Sequence, residues 1–153
     1  MSDLLRLIAF DNEDLKVISA NLQDALVRVG DMAYLPRSKQ FAIVASRFDW
    51  VKAMEGGWER CRTGLHFERV LRAQCMGFAQ KDHSVLLNLL SVSFEETNAP
   101  AGVVEIIFSA GCALRLEVEC LEAEMHDFCL RWKAGALPNH PLGEWSEGRR
   151  EIG

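Results

Sequence analysis

Between Gly102 and Leu121 the chain alternates apolar and polar residues with a period of two. Val103-Val104-Glu105-Ile106-Ile107-Phe108 is β-branched and apolar, and Ser109-Ala110-Gly111 supplies a turn. Leu114, Leu116, Val118 and Cys120 then alternate with Arg115, Glu117 and Glu119. A period of two places the apolar side chains on one face of a sheet and the charges on the other. Two such runs joined by a short loop containing glycine predict a β-hairpin.

The rest of the chain can be read in the same way. Leu4–Phe10 is a short strand. Asp11 offers an N-cap, and Glu13 and Asp14 suit the positive end of a helix dipole. Leu15, Ile18, Leu22, Ala25 and Leu26 recur at spacings of three and four, which predicts an amphipathic helix over about 12–24. Alternation returns in 25–35 and again in 41–48. The turn Pro36-Arg37-Ser38-Lys39 lies between them, so these strands form a second hairpin. Residues 49–64 read as a long irregular loop holding a helical turn or two near 51–55 and broken by Gly56-Gly57. A long strand is expected over 65–78 and another over 85–94, the latter apolar on both faces and so covered on both sides. From Leu121 the spacing of Met125, Phe128, Cys129 and Trp132 favours a short terminal helix, with a bulged continuation of the strand as the rival reading. Residues 135–153 hold Pro138, Pro141, Gly143 and Gly148 and few apolar side chains, and read as an extended or mobile tail in which Trp145 is the one anchor.

These elements predict an α+β fold dominated by antiparallel strands, roughly six or seven in number. The strands form a meander curling into a partly closed barrel, with one N-terminal helix and a short C-terminal one. A pleckstrin-like barrel capped by the terminal helix is the specific form expected. One globular domain should span residues 1–134, with 135–153 as its tail.

Composition narrows the function classes. Of 153 residues, 49% are hydrophobic and 25% charged, with a net charge of −5, which disfavours general binding to phosphate backbones. The start of the chain lacks a secretory signal, and no apolar run approaches the ~20 residues of a membrane span. The five cysteines form no CxxC pair. Reduced thiols and a cytoplasmic location are the expectation.

The chain contains neither GxxxxGK[ST] nor GxGxxG nor GxSxG. Cys61, His66 and Glu68 hold the residue types of a thiolate site, but His66 and Glu68 share a strand face while Cys61 lies across a loop. Glu122, His126 and Cys129 would converge if helical, without a fourth ligand for a structural metal. His83 and His140 fall in turns with no cluster beside them. Glu117, Glu119, Glu122 and Glu124 read as a solvated face. Arg47, Arg60, Arg62, Arg69 and Arg72 interleave with Phe48, Trp50, Trp58 and Phe67, a pattern that can bind anions or make salt bridges. Arg69 falls in phase with Leu65, Phe67, Leu71 and Ala73, which predicts a partly buried arginine with a carboxylate partner. Arg47, Trp50, Arg60 and Arg62 are the candidate ligand-binding residues. No catalytic residue, metal or cofactor is expected.

Leu22-Gln23-Asp24-Ala25, Asp31-Met32-Ala33-Tyr34-Leu35-Pro36, Arg47-Phe48-Asp49-Trp50 and Gly64-Leu65-His66-Phe67-Glu68-Arg69-Val70 resemble an uncharacterised family of small alphaproteobacterial proteins, domain-of-unknown-function family 2948. Ala99-Pro100-Ala101-Gly102 and Val118-Glu119-Cys120-Leu121-Glu122 are similar to its pattern too. The resemblance implies a bacterial cytoplasmic protein of one domain and carries no activity, cofactor or site residue. The leading expectation is a non-catalytic interaction module, homodimeric or bound to another protein through apolar strand faces left exposed in 85–94 and 103–108. The alternatives are a small anionic-ligand binder using the arginine and tryptophan loop 47–64, and an enzyme.

Overall fold

A computed structural model describes residues 4–133 and 149–152. Its order is β1 (Arg6–Ala9), α1 (Asn12–Leu22), β2 (Leu26–Leu35), β3 (Gln40–Phe48), α2 (Trp50–Met54), β4 (Glu59–Phe67), β5 (Val70–Met76), β6 (Leu86–Glu96), β7 (Gly102–Phe108), β8 (Ala113–Val118), β9 (Ala123–Lys133) and β10 (Arg149–Ile152). Ten strands, rather than six or seven, lie in the order β1-β9-β4-β3-β2-β6-β7-β8-β5-β10. Every pairing is antiparallel. The fold is the expected α+β antiparallel meander, and its ladder order is that of an open sheet with β1 and β10 at the edges.

Covalent continuity folds this sheet over. β4 runs into β5 and β8 runs into β9, while β4 pairs with β9 and β5 with β8. These four strands are therefore two halves of one bent ribbon. At the bend the Glu68 N–H donates to the Glu122 carbonyl at 2.9 Å, and the Glu119 N–H donates to the Arg69 carbonyl at 2.9 Å. The single strand expected over 65–78 is thus broken at Glu68-Arg69, where Arg69 takes a left-handed φ of 57°. Arg69 points to solvent beside Glu122 (3.4 Å) rather than lying partly buried, because the bend takes it out of phase with its neighbours.

Helix α1 is capped as its sequence predicts, with the Asp14 N–H donating to the Asp11 carboxylate at 2.9 Å. It buries Leu15, Ile18 and Leu22. It also does a strand's work beside β6: the Val92 N–H donates to Ser19 Oγ (2.9 Å) and the Phe94 N–H to Asn12 Oδ1 (3.3 Å). The core joins this helix to Phe41, Ile43, Leu65, Phe67, Leu89, Ile106, Phe108 and Leu116.

The terminal helix expected over 121–132 is corrected to strand β9. Burial alternates from Leu121 to Phe128, with 121, 123, 125 and 127 inward, and β9 bridges β4 and β1. The helix that covers the core is α1, so the pleckstrin-like arrangement with a C-terminal cap does not describe residues 121–133. Of the proposed tail, residues 149–152 form β10 on β5, and Trp145 and the other residues of 134–148 lie outside the described residues. The described α-helices are not long and apolar enough to cross a membrane.

Candidate functional site

The stretch read as loop 47–64 is built from two strand ends and a helix. β3 ends at Phe48, α2 follows, and β4 starts at Glu59, so Arg60 and Arg62 are strand residues. Asp49 caps α2 through its carboxylate (Lys52 N–H, 3.0 Å) and its carbonyl (Ala53 N–H, 3.1 Å). The Asp49 N–H donates to the Glu59 carbonyl at 2.9 Å and closes the base of the excursion. Gly56 turns the chain with φ 92°.

α2 is fastened below and bare above. Trp50 donates its indole N–H to the Gln23 carbonyl at 2.9 Å and meets Phe48 edge-on at 4.7 Å. The Arg60 guanidinium lies 5.8 Å over the Phe48 ring and donates to the Ser46 carbonyl at 2.9 Å. Yet α2 has no buried residue. Val51 is 63% exposed, Met54 90% and Trp58 40%. Half-buried Lys52 and exposed Glu55 stand on the same projection. Val51, Met54 and Trp58 are the large apolar side chains exposed between β3 and β4.

The candidate ligand residues do not converge. Arg47 pairs in register with Cys61, between Arg60 and Arg62 on β4. Alternate strand residues face opposite sides, so Arg47 points inward and the other two outward. Arg47 is 1% exposed and forms a bidentate pair with Asp127, Nε to Oδ1 at 2.8 Å and Nη2 to Oδ2 at 2.7 Å. Asp127 also accepts the Leu5 N–H at 2.9 Å. Burial by itself would push the Asp127 carboxyl up. The hydrogen bonds from Arg47 and Leu5 and the Arg47 charge outweigh it and hold that carboxyl below the usual range. Burial likewise disfavours the Arg47 charge, and Asp127, with Asp49 behind it, reverses the sign and raises its pKa. Arg60 is the opposite case: burial lowers its pKa against the pull of Asp24. Arg62 lies 4.0 Å from Asp31.

The other clusters separate too. His66 faces outward between Glu68 (3.0 Å) and Glu124 (3.3 Å), whereas Cys61 is buried on the opposite face of β4, so no thiol meets the imidazole. Glu122, just before β9, and His126 on it sit four residues apart, roughly 13 Å along an extended chain rather than one helical turn. No group of three or more His, Cys, Asp or Glu among the described residues could hold a metal ion. Glu117, Glu119, Glu122 and Glu124 pair with Arg72, Lys39, Arg69 and Arg6. Burial, with Cys75 adding to it, pushes the Cys112 thiol up to about 12, which leaves it protonated at neutral pH. On the strands 85–94 and 103–108, where an exposed apolar face was expected, Leu87, Leu89, Val104 and Ile106 are buried, Leu90, Val103 and Ile107 half-buried, and Leu86 exposed.

The family model described as a protein of unknown function, DUF2948, matches residues 5–140. The chain belongs to the DUF2948 family. No curated protein and no solved structure matches it. The DUF2948 match takes in α2 and both partners of the buried ion pair, and ends before β10.

Proposed function

We propose that this DUF2948 protein is a non-catalytic interaction module that forms a homodimer through α2. The observation that carries this reading is the helix with no buried residue on a hydrogen-bonded base. An apolar projection held rigid loses little conformational entropy when it is covered. Lys52 and Glu55 make the surface self-complementary: two copies of α2 crossing antiparallel about a two-fold axis place each lysine beside the other copy's glutamate. Light scattering on the wild-type chain should give the mass of a dimer. Val51→Ser with Met54→Ser should give a monomer with an unchanged melting temperature, since both side chains face solvent in one copy. A wild-type monomer at high concentration, or a dimer indifferent to these changes, contradicts the reading.

A second reading rests on Arg60, whose charge is disfavoured by burial. An anion bridging Arg60 and Arg62 on the outward face of β4 would relieve that cost, with Trp50 alongside and Arg47 outside the site. Inorganic phosphate should then raise the melting temperature of the wild type but not of Arg60→Gln/Arg62→Gln. An equal shift in both proteins, or none in either, removes this reading.

A further inference from the structure

The methionines of the described residues differ in what covers them. Met125 and Met32 belong to the core, and Met76, on the outer face of β5, is 38% exposed. Met54, the last residue of α2, is 90% exposed. Its neighbours leave the thioether open to small solutes. Val51, one helical turn before it, is 63% exposed, and a Cβ at Gly56, two residues on, would meet no atom within 4 Å. The two-fold proposed above sets Lys52 of one copy beside Glu55 of the other, and Ala53 and Met54 lie midway between these along the helix. The two Met54 side chains therefore meet near the axis, where a change in the residue acts twice.

We propose that Met54 is a redox modification site and that its oxidation by hydrogen peroxide dissociates the α2 dimer, an inference that rests on the dimer reading above. The thioether sulfur attacks one peroxide oxygen. An S–O bond forms as the O–O bond breaks, the sulfur gives up two electrons, and the second oxygen leaves as water with both protons. The product is a polar sulfoxide. It places a strong hydrogen-bond acceptor where the facing group is the other copy's thioether, whereas in the monomer water satisfies it. The single copy keeps its fold, because Asp49 and Trp50 hold α2 through hydrogen bonds that do not involve Met54. Dimerisation in turn shields the sulfur, so assembly and oxidation oppose each other.

The probe is hydrogen peroxide in excess over the full chain, with each methionine followed by peptide mass spectrometry and the assembly by light scattering. Met54 should oxidise first. Where about nine-tenths of the chain is dimeric, Met54 should react roughly tenfold slower than in dilute monomer, while Met76 keeps one rate at both concentrations. The oxidised chain should be monomeric with an unchanged melting temperature, and methionine sulfoxide reductase should restore the dimer. Met54→Leu should dimerise and stay dimeric in peroxide, which separates Met54 from Met76 and from half-buried Cys120. Met54→Gln, polar without any oxidant, should be monomeric. A dimer that persists with Met54 fully oxidised, or a dimer of Met54→Leu that peroxide dissociates as readily as the wild type, overturns this inference and leaves the dimer itself standing. A wild-type chain that is monomeric before peroxide is added overturns the dimer, and this inference with it.

Discussion

Arg47 and Asp127 bear the largest single electrostatic burden among the described residues. Both are buried, their pairing is bidentate, and the pair ties β3 to β9 and, through the Leu5 amide, to the approach to β1. Removing one partner leaves a buried charge uncompensated, so Asp127→Ala should cost about 3–5 kcal/mol in chemical denaturation. Arg47→Met with Asp127→Leu should recover most of that loss. The pH dependence follows from the lowered carboxyl of Asp127. Its contribution is present above the unfolded-state value of about 4 and fades as pH falls through the lower folded-state value. Glu119 and Glu124, lowered mainly by hydrogen bonds from Lys39 and Arg6, act with the same sign but at the surface, where salt screens them. Acid titrations of wild type and Asp127→Asn followed in high salt should therefore differ in this acid loss. The pair was half legible in the sequence. Arg47 falls in phase with Phe41, Ile43 and Ala45, an inward position where an arginine needs an acid. Reading it as a ligand residue instead followed from its partner lying in a segment read as helix.

That misreading belongs to the element scale and has a physical cause. An inward Asp127 and a small inward Ala123 hide the period of two that Leu121 and Met125 would otherwise show, and a register shift near 127–131 adds a helix-like spacing. By contrast, the hairpins β2–β3 and β7–β8 were plain because their inward positions are apolar, Arg47 near the end of β3 excepted. The stretch 49–64 obscured its own strand for a related reason: Arg60 and Arg62 occupy the outward face of β4, where polarity is what a half-exposed strand calls for. Polar residues on α1 were equally silent, since nothing local marks Ser19 as an acceptor for the Val92 amide. Ser19→Ala should cost about 1–3 kcal/mol, because it strands a part-buried N–H, and amide exchange at Val92 should accelerate. Gly102 offers a second test of the sheet. A Cβ there would come within 2.4 Å of the Glu95 carbonyl oxygen, whereas one at Gly57 meets nothing nearer than 3.7 Å. Gly102→Ala should lower the melting temperature and Gly57→Ala should leave it nearly unchanged.

At the scale of the whole molecule, the antiparallel meander and the single N-terminal helix were readable from periodicity, while the surface available to a partner was not. Surplus apolar positions on β6 and β7 suggested an open face, and there Leu87, Leu89, Val104 and Ile106 are buried while Leu86 is exposed. Val51 and Met54 stand exposed where alternation fails, on a five-residue helix whose base is fixed by Asp49 and Trp50. Which residues such a projection would show to a partner depends on burial, and burial depends on contacts that no local pattern records. Zero-length carbodiimide crosslinking of an equal mixture of unlabelled and heavy-isotope-labelled chain reads the proposed contact directly. Mixed-isotope peptides joining Lys52 of one copy to Glu55 of the other are the expected result, lost in Val51→Ser/Met54→Ser. Crosslinks confined to peptides of a single isotope, or none involving α2, would contradict it.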